Sequence, residues 1–208
     1  RFPTDSGKLE FFTDELEKKF SAYGLSALPE FYGDKESLIN MPHLEVIDDD
    51  SESGILGPFA SGGLSIRGKI VSPTTPGSNT KAIQEGYNLE LITGRPAAPH
   101  FHSWTHYSWQ SQEMWPDLYV QIHPTTAENL GVKDGALVLI ESRHGSIHAR
   151  AWLYSGMRPT SVFIPIGWGE RQPFSKWNSV NFLTDKTQRD PISEQTNLKS
   201  LLCRVKPI

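Results

Sequence analysis

Cysteine is nearly absent from this chain. Cys203 is the only one in 208 residues, so the sequence contains neither an internal disulfide nor a set of thiolates able to hold an iron-sulfur cluster. Its neighbours, Leu201, Leu202 and Val205 with Arg204 between, predict a buried structural thiol rather than a nucleophile or a metal ligand. An excess of one charge is missing too. Twenty basic residues stand against 24 acidic ones, a formal net charge of -4, and no basic block interleaves with aromatics, which disfavours nucleic-acid binding. No apolar run approaches the roughly 20 residues a membrane-crossing helix needs. Arg1 to Lys8 lacks the apolar centre of a signal peptide, so any targeting signal is expected outside these residues.

The most informative stretch is LELITGRPAAPHFHSWTH at 89–106. Leu89, Leu91 and Ile92 read as a short buried strand, and Gly94 frees the backbone where the chain leaves it. Arg95 follows with five donors suited to phosphate or a planar heterocycle. His100, His102, Ser103, Thr105 and His106 then place imidazoles and hydroxyls within seven residues. Three readings are open for this loop: a polar, phosphorylated ligand; a metal; or a structural loop whose histidines satisfy backbone groups. Metal binding is disfavoured because no cysteine or carboxylate sits at a familiar ligand spacing, and Pro96 and Pro99 imply a rigid wall rather than a helix presenting ligands.

The remaining pattern is one of short strands. Thr13 is placed to cap a helix in which Leu16 and Phe20 face inward, and a weak helix is predicted near 80–86. Strands are expected at 88–93, in WPDLYVQIH, in ALVLIES, in SIHARAWLY, at 160–164 and at the C-terminus. Leu139 is taken as a central strand residue. Pro124 opens a helix whose Ala127 and Leu130 pack inward and which Gly131 ends. Lys133, Asp134 and Gly135 form a turn, and another falls at His144 and Gly145. A single well-marked short helix among many strands argues against a doubly wound α/β sheet. The predicted class is mainly β with short helices and an extended N-terminal arm. Residues 1–87 form the arm and a glycine- and proline-rich connection, and residues 88–208 form the main domain.

LITGRPAAPHFHSWT resembles a segment in the last domain of the molybdenum or tungsten bis-pterin oxidoreductases, the group containing dimethyl sulfoxide reductase and formate dehydrogenase. Further pieces match in the same order: VQIHPTTAENLGVKDGALVLIESRHGSIHARA at 120–151, IPIGWGE at 164–170, VNFLTD at 180–185, and a tail from DPIS to NLKSLLCRVKPI. FPTDSGKLEFFTDELEKKF near the start is similar to the passage that precedes that domain, whereas residues 48–82 are longer than the family connection. The resemblance implies a double-psi β-barrel over 88–208 that binds bis-molybdopterin guanine dinucleotide.

Carried residue by residue, the resemblance marks Thr93, Gly94, Arg95, His100, His102, Ser103, Thr105, Trp168, Asn181 and Lys199 as cofactor-binding. Trp168 equally suits the filling of a barrel end, Asn181 a cap, and Lys199 a solvated surface. His123 reads either as a cofactor neighbour or as the mark of a strand end. No catalytic residue and no metal ligand falls in this chain. The family's metal ligand and iron-sulfur cysteines lie in other regions, so the implied partners are a larger catalytic portion carrying the Mo or W ligand and an iron-sulfur electron-transfer subunit. The implied setting is a prokaryotic-type enzyme of the cytoplasm or periplasm, of the polysulfide, thiosulfate, arsenate or formate type. The rival function is a non-catalytic module that carries the pterin cofactor. An unrelated decarboxylase barrel cleaved at Gly145-Ser146 fits the surrounding residues poorly.

Overall fold

The computed structural model describes residues 1–21, 25–28, 43–47, 67–71, 82–96, 98, 100, 103–170, 175–185, 195–196, 198–199 and 201–208. The chain divides into two compact units. One carries helix α1 (Asp14–Ser21) and an antiparallel pair of strands, β1 (His43–Ile47) and β2 (Arg67–Val71), in which His43 lies opposite Val71 and Ile47 opposite Arg67. The Thr13 hydroxyl accepts the Leu16 N–H at 3.2 Å, as expected of the capping residue. The inward face does not follow: α1 buries none of its residues, and Leu16 is 40% exposed. Leu16 and Phe20 are the only apolar residues of this eight-residue helix, and one pair a turn apart makes no stripe wide enough to bury. The β1–β2 pair lies within residues 1–87, read as the arm and its glycine- and proline-rich connection.

The other unit is a closed barrel of six strands in the order β3 (Leu89–Gly94), β7 (Ser161–Pro165), β4 (Tyr119–Ile122), β6 (Ser146–Leu153), β5 (Leu137–Ser142), β8 (Leu201–Pro207). Two neighbouring pairs run parallel, β3 with β7 and β4 with β6, and the other four antiparallel. Closure leaves no free sheet edge, and in a barrel this small the interior is filled by side chains. Leu91, Val120, Ile140, Ile147, Val162 and Leu201 are among those sealed from solvent. Cys203 is fully buried, and burial pushes its thiol well above the ordinary range, as a structural cysteine requires.

Period-two alternation is visible in β3 and β5, where every second residue is buried. In β5 the buried set is Val138, Ile140 and Ser142, so Leu139 is only half-buried on the outer face. The strand is paired on both sides, but the inward register falls one residue away from the expected Leu139. Helix α3 (Pro124–Leu130) starts at proline and ends at Gly131, whose φ of 68° is the left-handed stop. Ala127 is fully buried and Leu130 packs against the core, both as expected. Asp134 and Gly135 are turn residues: Gly135 has φ 73°, and Asp134 Oδ1 accepts the Leu153 N–H at 2.8 Å. A short helix α2 (Trp109–Met114), preceded by a 3-10 turn (Ser103–Tyr107), was not anticipated. Its polar Gln-Ser-Gln-Glu run after Ser108 is the signal that marks it in hindsight.

Candidate functional site

Strand direction decides which loops meet. β3 and β7 run the same way, so their C-terminal ends, Gly94 and Pro165, are adjacent. β8 runs against β3 and β5, which brings its first residue, Leu201, and the β5–β6 turn after Ser142 to that same end. The segments leaving or entering there carry Arg95, Trp168, Asn181 and Lys199, together with the histidine loop that precedes β4. His123 sits at the far end of β4, where its Nδ1 accepts the Thr125 N–H at 3.2 Å and caps α3. Of its two readings, the structure supports the strand end.

Local contacts stitch the gathered loops together. Thr93, 3% exposed, uses both its N–H, at 3.2 Å, and its hydroxyl to donate to the Leu198 carbonyl. This tie fixes Lys199 beside the end of β3 and leaves the Thr93 hydroxyl committed within the protein. Gly94 accepts from the Ile166 N–H at 2.8 Å, and a Cβ on Gly94 would lie 3.1 Å from the Phe163 ring. Arg95 and Lys199 are both exposed cations at this end. Asn181 is exposed in a 3-10 turn (Val180–Leu183) that Ser179 caps. The turn is anchored by Ser142, whose Oγ donates to the Leu183 carbonyl at 2.8 Å, and by Gly145, where a Cβ would overlap the Phe182 carbonyl.

Behind these groups lies a buried ring cluster. The His100 and His106 imidazoles stack at 3.7 Å between centroids and 6° between planes, and Trp168 meets His106 edge-on at 4.2 Å. Trp168 is 5% exposed and also contacts Tyr119 at 5.9 Å. This packing suits the filling of a barrel end. Thr105 places its hydroxyl 3.5 Å from His100 Nδ1. Burial draws both imidazoles down from their ordinary range; His106 falls to about 4, helped by its neighbour His100. Backbone groups of Trp115 and Ser111 oppose the fall at His100. Neither Nε2 has a hydrogen-bond partner, nor has the buried Trp177 Nε1.

His102 lies outside the described residues, and of Ser103 only the backbone, at the start of the 3-10 turn, is described. Sequence reasoning missed the His106 stack and Trp177, since neither contact follows from spacing along the chain. Among the described residues no group of His, Cys, Asp and Glu is arranged to hold a metal ion. The chemistry present suits an anionic, hydrogen-bonding ligand: exposed Arg95 and Lys199, the exposed Asn181 amide and orphaned buried imidazole nitrogens at one barrel end.

Residues 89–202 match the family model described as the Molydopterin dinucleotide binding domain. The chain is 32% identical to dopamine dehydroxylase of Eggerthella lenta over 127 residues, which cover 57% of this chain and 12% of that protein. To the putative formate dehydrogenase YrhE of Bacillus subtilis (strain 168) it is 30% identical over 124 residues, 57% of this chain and 12% of that protein. It therefore spans about an eighth of these relatives. Acetylene hydratase from Pelobacter acetylenicus shares the fold with a TM-score of 0.67 at 18% identity, covering 99% of this chain and 24% of that one.

Proposed function

From the premise that the chain belongs to the molybdopterin-dinucleotide-binding domain family, we propose that it is the C-terminal cofactor-binding part of a bis-pterin oxidoreductase using molybdenum or tungsten. The observation that carries this reading is the convergence of Arg95, Asn181 and Lys199 on the barrel end that also seats the histidine loop. The barrel, residues 88–208, is of the double-psi type, and residues 1–87 form the arm that joins it to the rest of the enzyme.

Bound here, bis-molybdopterin guanine dinucleotide supplies two-electron chemistry at its metal. This chain binds and orients. Arg95 pairs its guanidinium with diphosphate oxygens, and Lys199 neutralises negative charge on the same group. Asn181 offers an amide that both donates and accepts, matching the mixed edge of a pterin. His100 and Thr105 stand at the same end, His102 and Ser103 are further proposed cofactor contacts, and Thr93, Gly94 and Trp168 hold the loops in place. The metal's protein ligand comes from the larger catalytic portion, and electrons leave through an iron-sulfur partner. Formate is the favoured substrate class, supported by the likeness to a putative formate dehydrogenase; thiosulfate, polysulfide and arsenate are its competitors.

Native purification of the assembly, followed by intact mass and assay of molybdenum, tungsten and released guanine nucleotide, tests the reading. A large complex with one metal and a pair of pterin dinucleotides per copy is the expected result. A lone metal-free, nucleotide-free protein of 23.3 kDa overturns it.

A further inference from the structure

His106 lies outside the residues that the family resemblance marks, yet it is the hub of the ring cluster. One face stacks on His100 at 3.7 Å, and the edge of Trp168 closes on it at 4.2 Å. Its Nε2 occupies the space that a Cβ on Gly167 would fill. Gly167 has φ 121°, a conformation open in practice only to glycine, so the Ile166–Gly169 turn is bent around this ring. The Gln112 side chain donates to the His106 backbone carbonyl and ties the ring's own segment to α2. The ring is 1% exposed and Nε2 has no hydrogen-bond partner. A buried imidazole nitrogen without a polar partner costs stability, so what this ring offers the site is its shape and packing.

We propose that His106 is a positioning residue: its flat ring, seated on the bare Cα of Gly167, latches the turn carrying Trp168 to the histidine loop and so presets the cofactor-binding end of the barrel. The inference rests on the proposed function for what is being preset, but the latch itself is a property of this chain. An aliphatic side chain cannot stack on one neighbour while meeting the other edge-on. Disengaging the latch frees the turn and Trp168 together, because both are held by the same ring.

Fluorotryptophan labelling of the full chain, with the Trp168 resonance assigned through Trp168→Phe, reads the latch directly by fluorine NMR. In His106→Gly the Trp168 line is expected to shift or broaden, and millimolar imidazole, which refills the vacated seat, to restore it. Trp152, which packs with Trp115 and Tyr119, keeps its line and reports an intact barrel. Gly167→Ala closes the same seat from the other side and is expected to move the Trp168 line without imidazole rescue; it serves if the first variant does not fold. In the native assembly, His106→Gly is expected to retain about fivefold less pterin dinucleotide, the loss of one well-placed contact. A Trp168 line unmoved in both variants overturns the latch. A moved line with undiminished pterin overturns its positioning role. If the parent assembly carries no pterin dinucleotide, the proposed function fails, and the NMR result on the cofactor-free chain still decides the latch.

Discussion

The imidazoles of His100 and His106 lie face to face, 3.7 Å apart and within 6° of parallel, with neither Nε2 hydrogen-bonded. Burial disfavours a proton on either ring and two cations in that geometry would repel each other, so the fold favours the neutral forms.

This arrangement predicts acid sensitivity. In the unfolded chain His106 takes up a proton near its ordinary value of about 6.5, whereas in the fold it resists until about 4. Between those values the unfolded state binds more protons. Stability is therefore undiminished by this ring above about 6.5 and drains away as pH falls toward 4, by on the order of 3 kcal/mol. His100 is shifted in the same direction. Urea unfolding across this window is expected to show the slope in the parent and a shallower one in His106→Gln; equal slopes would refute the neutral pair.

Arg204 is a tie between the barrel and the helical turn before β3. Its guanidinium donates to Glu141 Oε2 at 2.9 Å and to the Glu85 carbonyl at 3.0 Å, and stacks over Tyr87 at 4.7 Å. Arg204→Ala is expected to cost about 1–2 kcal/mol in urea unfolding. Arg204→Lys, which keeps the charge but loses the planar fork, is expected to recover less than half of that cost.

The register of β5 separates two adjacent substitutions. Ile140 is fully buried, and Ile140→Ala is expected to cost about 2–5 kcal/mol through lost burial and a cavity. Leu139→Ala, on the outer face, is expected to cost less than half as much. Chemical denaturation of both variants checks this, and a larger cost at Leu139 would place the inward face wrongly.

Arg95 is exposed at the ligand end, and its removal is expected to lower binding more than folding. Arg95→Ala is expected to leave the unfolding midpoint within about 0.5 kcal/mol of the parent. Pterin dinucleotide content of the assembly is expected to drop at least about tenfold, as for a lost charge-assisted pair. Equal pterin content in variant and parent would remove Arg95 from the site.

What the sequence disclosed follows from how locally each feature is encoded. Pro124 and Gly131 bracket α3, Asp134 and Gly135 make their turn, and Leu89 to Gly94 alternate as a strand, because capping, left-handed glycines and period-two burial depend on a few neighbours. Strand β2 was hidden among glycines, serines and prolines whose composition outweighs a five-residue pairing segment, and β1 is five residues between Pro42 and a run of aspartates. Leu139 was misplaced because the run ALVLIES is apolar at successive positions, and either alternate set reads as the inner face.

By itself, the sequence determined the mainly β class, most of the strands, the structural nature of Cys203 and the motif residues that mark the family. Tertiary structure alone decided which of those residues belong together. Arg95 and Lys199 are over a hundred positions apart, and only the antiparallel pairing of β3 with β8, fastened by Thr93 on Leu198, brings them to one end. Barrel closure likewise sent His123 to the far end and set His106 on Gly167, because a closed sheet fixes every strand end relative to all others while sequence spacing fixes only the next few residues.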